Sequence, residues 1–177
     1  MNIVYLISQI VGFIAFVISL VAYHRKNKEK IFKTMMLANL LDITHYLLLG
    51  AYSGCITKVI ALVRNEIIIL KEKHKKFNNI LVLIILLAIY LISGILTYEN
   101  IFSILPILSA MIYLYFVWNG DELIVKKIAF YCYFLWLTYN IFVFSIAGII
   151  SNSISIISTF IAMYNEKNKK VRSWFDE

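Results

Sequence analysis

Seven apolar stretches fill most of the chain, at residues 3–23, 34–50, 54–70, 78–97, 101–118, 127–146 and 149–165. Each is close to the roughly 20 residues that an α-helix needs to cross the hydrocarbon core of a bilayer. The segments between them are short, which leaves no room for a soluble domain. The pattern therefore predicts one membrane domain over 1–177. The first stretch has no basic region before it and no small-residue cleavage site after it, so it reads as a retained helix and not as a signal peptide. The second and third stretches carry charges and are joined by a short turn. Gly50-x-x-x-Gly54 has helix-dimerising spacing, but its place between two stretches makes it turn chemistry.

The basic residues sort by segment. Arg25, Lys26, Lys28, Lys30 and Lys33 follow the first stretch, and Lys71, Lys73, Lys75 and Lys76 follow the third. Lys126 and Lys127 follow the fifth, and Lys167, Lys169, Lys170 and Arg172 follow the seventh. None precedes the first stretch or follows the second, fourth or sixth. Of the 17 basic residues, the other two, Lys58 and Arg64, lie inside the third stretch. Lys and Arg collect on the cytoplasmic side of membrane proteins. The alternation predicts seven transmembrane helices, with the N-terminus outside and the C-terminus cytoplasmic.

Composition agrees with the pattern. The chain is 62% hydrophobic and 15% charged, against about 45–50% and about 25% in soluble domains. A net charge of +7 would raise nucleic acid as a partner in a soluble protein. Here topology accounts for it, so the lipid bilayer is the expected partner and nucleic acid is not. Cys55 and Cys132 lie in apolar stretches without metal or disulfide spacing. No metal, cofactor or catalytic residue is expected. HExxH, GxSxG, P-loop and paired-carboxylate motifs are absent, so the chain is not read as an enzyme. The Asp42–His45 spacing is the one hint of intramembrane chemistry.

The chain repeats itself at an offset of 94. His45 then meets Tyr139, Gly54 meets Gly148, and Thr57 meets Ser151. The run 71–76 meets 165–170. Stretches one to three thus correspond to five to seven, with the fourth between them. One helix between two three-helix units gives both units the same orientation. The predicted fold is all-α, as two parallel three-helix repeats plus a linker helix (3+1+3). Repeat one covers about 1–74, the linker about 78–97 and repeat two about 100–168. Such repeats place a solute site near the midplane between them.

Several runs in order carry a family resemblance. They are Gln9-Ile10-Val11-Gly12-Phe13-Ile14-Ala15-Phe16, His45-Tyr46-Leu47-Leu48-Leu49-Gly50-Ala51-Tyr52, Ala61-Leu62-Val63-Arg64, Leu105-Pro106, and Trp136 with Tyr139-Asn140. Together they resemble the YgjV-type bacterial inner-membrane proteins, a family distantly similar to the SWEET and PQ-loop transporters. The resemblance implies a bacterial inner-membrane location, the 3+1+3 arrangement and small-solute transport. Gln9 lacks a preceding proline, and Pro106 lacks a following glutamine, so the PQ-loop hinge chemistry is not carried over.

Ionisable residues inside a span mark function by default. Asn39, Asp42 and His45 share one helix face by their spacing. Asp42 is expected to pair with Arg64 across the hairpin, either to fix register or to handle a substrate or ion. His45 is either a protonation site or a packing histidine. Lys58 is expected to snorkel to the outer interface, and Glu66 to reach a cytoplasmic lysine. In the second repeat, Trp136, Asn140 and Asn152 are candidates to stack on and bond a small polar solute. The alternative for them is helix packing. Gln9, Gly12 and Pro106 are gating or close-packing positions, and Pro106 either hinges or statically kinks its helix.

Two functions follow. One is a small-solute transporter or permease working by alternating access. The other is a membrane interaction or substrate-binding subunit acting with a partner. Solute identity, direction and coupling ion stay open, as does oligomeric state, a homo-oligomer included.

Overall fold

A computed structural model describes residues 3–23, 25 and 27–173. It holds seven α-helices and, among the described residues, no strand. They are α1 (Ile3–Tyr23), α2 (Lys28–Leu48), α3 (Tyr52–Lys73), α4 (Ile80–Leu96), α5 (Ile104–Trp118), α6 (Glu122–Phe142) and α7 (Ile146–Ser173). Two single turns of 3-10 helix, Lys75–Phe77 and Ile101–Ser103, lead into α4 and α5.

Helix number agrees with the apolar pattern, but several ends move. α2 begins at Lys28, ahead of the predicted 34, because Asn27 caps it. Its side chain accepts from the Glu29 and Lys30 amides, satisfying donors that a helix start leaves unpaired. α6 begins at Glu122, ahead of 127, where Asp121 accepts the Ile124 amide. α7 begins at Ile146, where the Ser145 hydroxyl accepts the Gly148 amide. Apolar length marks the extent of a buried or lipophilic stretch, whereas polar caps decide where the backbone begins to turn.

The α2–α3 turn is closed by a Schellman motif. Gly50 has φ +69°, its amide bonds to the Leu47 carbonyl, and the Ala51 amide bonds to Tyr46. The same turn recurs 94 residues on. Phe144 has φ +53°, its amide bonds to Ile141, and Ser145 bonds back to Asn140. Nothing lies within 4 Å of a Cβ added at Gly50, so a side chain there costs backbone strain alone. Gly50→Ala is expected to lose about 1 kcal/mol, since L-residues pay roughly 1–2 kcal/mol in this conformation. Unfolding of the purified variant in detergent measures it.

Gly54 is not part of the turn, as the sequence suggested. It lies in the first turn of α3, where an added Cβ would stand 2.9 Å from the Tyr139 ring. Its lack of a side chain serves close packing.

The helices form a ring. α1, α2 and α3 pack in sequence order, as do α5, α6 and α7. α1 lies against α7 and α3 against α5, while α4 packs outside against α3 and α5. The ring is polar inside and apolar outside. Gln9, Asn39, His45, Arg64, Asn65 and Asn140 are buried, while Ile84, Ile85, Leu91 and Ile92 on α4 are exposed. An aqueous fold would reverse this, since contiguous exposed apolar surface seeks a nonaqueous neighbour. Among the described residues, two segments, Ile3–Ala22 and Ile101–Trp118, are long and apolar enough to cross a bilayer. Ile80–Leu96 and Ile146–Ile161 are apolar but shorter.

One end of the ring is basic and laced by charge. Glu29 accepts from Lys33 and Lys73 at 2.8 and 2.7 Å, and these bonds hold its carboxyl down to about 2. Lys28 reaches Glu72 at 2.9 Å and the Gly120 carbonyl at 2.7 Å. Lys71 donates to the Trp118 carbonyl and to Asn119. Burial is the main cause that lowers its pKa, with Lys28 nearby adding to it. These bonds tie α2 and α3 to the α5–α6 turn.

Candidate functional site

Inside the ring lies a cavity of about 140 Å³. Residues of α1, α2, α3, α5, α6 and α7 wall it, and α4 contributes none. On α2, Asn39, Asp42 and Tyr46 face inward, at helical spacing. On α3, Thr57, Lys58, Ala61 and Arg64 do the same.

Asp42 does not pair with Arg64. Its partner is Lys58, with Nζ 2.6 Å from the carboxylate. Asp42 and Lys58 stand equally far from Gly50 in the antiparallel hairpin, so they share a level. Arg64 lies six residues further along, about 9 Å deeper at 1.5 Å per residue. Lys58 does not snorkel outward either. It turns inward, and its ammonium stands 4.6 Å from the Trp136 ring, a cation–π contact from the opposite half. Arg64 bonds to the side-chain carbonyl of Asn65 through Nε and Nη2, at 3.1 and 2.9 Å, and lies over the Tyr113 ring. Glu66 is exposed on another face.

His45 touches the cavity and belongs to its roof. Its Nδ1 lies 2.6 Å from the Ser8 carbonyl, which only accepts, so Nδ1 carries a proton. Nε2 lies 2.8 Å from the Ser145 hydroxyl. Gln9 accepts the Ala147 amide at 2.9 Å and ties α1 to α7. Gly12 lets the helices close up, since an added Cβ would stand 2.9 Å from both Ala147 and His45.

Asn140 is fully buried in this roof and is not a wall of the cavity. Its side-chain oxygen accepts from the Tyr46 hydroxyl at 3.0 Å. Trp136 and Asn152 do line the cavity. Pro106 is buried in the first turn of α5. There a proline is tolerated, since the first-turn N–H groups have no partner inside α5.

The roof also contains Ser53 and Ser145, which the sequence did not single out. The Tyr139 hydroxyl accepts from Ser53 and from the Gly54 amide, both at 3.0 Å. Across the ring His45, its counterpart at the offset of 94, reaches Ser145. Each half therefore inserts an aromatic side chain into the turn region of the other. Tyr46 and Asn140 are themselves 94 apart and touch. The signal was present in the offset, but side-chain type hides it, because histidine matches tyrosine and tyrosine matches asparagine.

The YgjV-type family, described as bacterial inner membrane protein, matches residues 6–170. The chain belongs to this family. Its bacterial inner-membrane location follows. No curated protein and no solved structure matches the chain. Charges shielded from water need partners, and Asp42 and Lys58 supply each other's inside the ring.

Proposed function

We propose that the chain is a small-solute transporter, working by alternating access around the central cavity. In this reading it crosses the membrane seven times, with the N-terminus outside and the C-terminus cytoplasmic. Two parallel three-helix units, α1–α3 and α5–α7, are joined by α4.

The observation that carries this reading is the cavity walled from both units and tied across at both ends. At the turn end the ties are Tyr46 to Asn140, His45 to Ser145, and Tyr139 to Ser53. At the basic end they are Lys28 to Gly120 and Lys71 to Asn119. A residue meets its own equivalent only near a two-fold axis, so the Tyr46–Asn140 contact supports a pseudo-two-fold between the units. The repeated Schellman turns support it independently. Rocking of the units about this axis breaks one set of ties while the other holds, which exposes the cavity to one side at a time.

Flux into proteoliposomes tests the proposal. Uptake that is abolished by a cross-link between residues 46 and 140 is the expected result. No flux across a broad panel of sugars, amino acids, vitamins and organic acids, with and without a pH gradient, overturns it. A stoichiometric partner on the basic face, with no flux, points instead to an interaction subunit.

A further inference from the structure

Charge inside the cavity is unbalanced. Asp42, Lys58 and Arg64 are its charged walls, and Asp42 is committed to Lys58 at 2.6 Å. Arg64 is 5% exposed, and among the described residues no carboxylate lies within ion-pair distance of it. The bonds to Asn65 use two of its five N–H groups. The Tyr113 ring, the Asn65 carbonyl and the nearby Tyr90 hydroxyl are neutral, so no anionic group among the described residues balances the Arg64 charge.

A second observation points to the same place. Asn39 is 6% exposed and lines the cavity, and its side-chain NH2 has no partner. Because Asp42 faces Lys58, Asn39 stands level with Ala61, and Arg64 lies about 5 Å further toward the basic end. Arg64 brings the unbalanced charge and Asn39 an unpartnered donor, both on one wall. A buried donor left unmade costs about 1–3 kcal/mol, and an acceptor carrying one negative charge answers both.

We propose that this cavity takes a small organic monoanion, with its carboxylate held by Arg64 and Asn39. The inference rests on the transport reading of the same cavity and names its substrate class. Charge sets the valence, since one cation is left over. Volume sets the size. A cavity near 150 Å³ admits benzene, so about 140 Å³ holds about six non-hydrogen atoms by that comparison. The Tyr113 ring, 4.8 Å from the guanidinium carbon, and Ala110 and Ala129 offer the apolar wall for the rest of the ligand.

Thermal unfolding and calorimetry of the purified full chain in detergent test this, with butyrate, butyramide, butylammonium and inorganic phosphate at matched ionic strength. Butyrate alone is expected to raise Tm, saturably. Arg64→Gln is expected to weaken butyrate by at least about tenfold, as hydrogen bonds to charged groups support. Asn39→Asp, which sets a carboxylate beside Arg64, is expected to abolish the shift, and it decides the matter if Arg64→Gln does not fold. An equal response to butyramide, a response to phosphate in place of butyrate, no response to butyrate, or a butyrate response that survives Asn39→Asp overturns the inference. Flux of neutral or cationic solutes in proteoliposomes would then leave the transport reading standing. Butyrate binding without flux would overturn transport and leave the site.

Discussion

Asp42→Ala is expected to destabilise the protein by about 3 kcal/mol, whereas Asp42→Leu combined with Lys58→Met recovers most of that loss. Removing one partner of a buried ion pair strands the other charge, at roughly 3–5 kcal/mol. The lower figure applies here, because the Lys58 and Asp42 side chains are 20% and 18% exposed. Replacing both partners by apolar residues of similar size is often neutral or stabilising. A double-mutant cycle read by unfolding in detergent separates the pair term from the rest. Arg64→Gln provides the contrast. If Asp42 were the partner of Arg64, the two changes would couple strongly. The 2.6 Å contact to Lys58 predicts that the strong coupling is with Lys58.

The second large effect is expected at Gly148, where alanine should cost about 2 kcal/mol and loosen the Tyr46–Asn140 tie. An added Cβ would stand 2.4 Å from Asn140 and 2.6 Å from the Ser145 hydroxyl. Neither can retreat freely. Asn140 is fully buried and bonded to Tyr46, and Ser145 holds both His45 and the Gly148 amide. Overpacking of this kind typically costs about 1–3 kcal/mol. Gly94→Ala is the control. Its Cβ would meet Ile107 at 3.1 Å, which a small shift relieves, and alanine favours a helix interior by roughly 0.5–1 kcal/mol. It is expected to be neutral or stabilising. Thermal unfolding of the two variants side by side decides it, and equal losses would count against a specially tight contact at Gly148.

Much of the architecture was legible in apolar length. Seven apolar stretches of helical length gave seven helices. The equivalence of Gly54 and Gly148 was visible in the chain, and both prove to be close-packing positions. Helix starts were legible in principle from Asn27 and Asp121, yet apolar length alone placed them several residues late.

The site was legible only in part. Trp136 and Asn152 were expected at a cavity, and they line one. Asn140 was expected there too, but it sits in the roof. Depth along a helix and direction around it both decide which residues meet, and a small error in either changes the partner. Counting from Gly50 would have matched Asp42 with Lys58. That Lys58 bends inward to Trp136 could not be counted, because the ring belongs to α6.

The sequence by itself therefore determined seven helices, and it pointed to a sorting of basic residues and to a repeat at an offset of 94. These rest on local composition and spacing, which the chain carries along its length. Only the tertiary structure decided which charges compensate each other, that Tyr46 meets Asn140, and that Arg64, without a carboxylate, and the unpartnered Asn39 amide face one cavity. Those depend on the angle at which each helix faces the ring. That angle is set by the packing of all six helices together, and no single stretch encodes it.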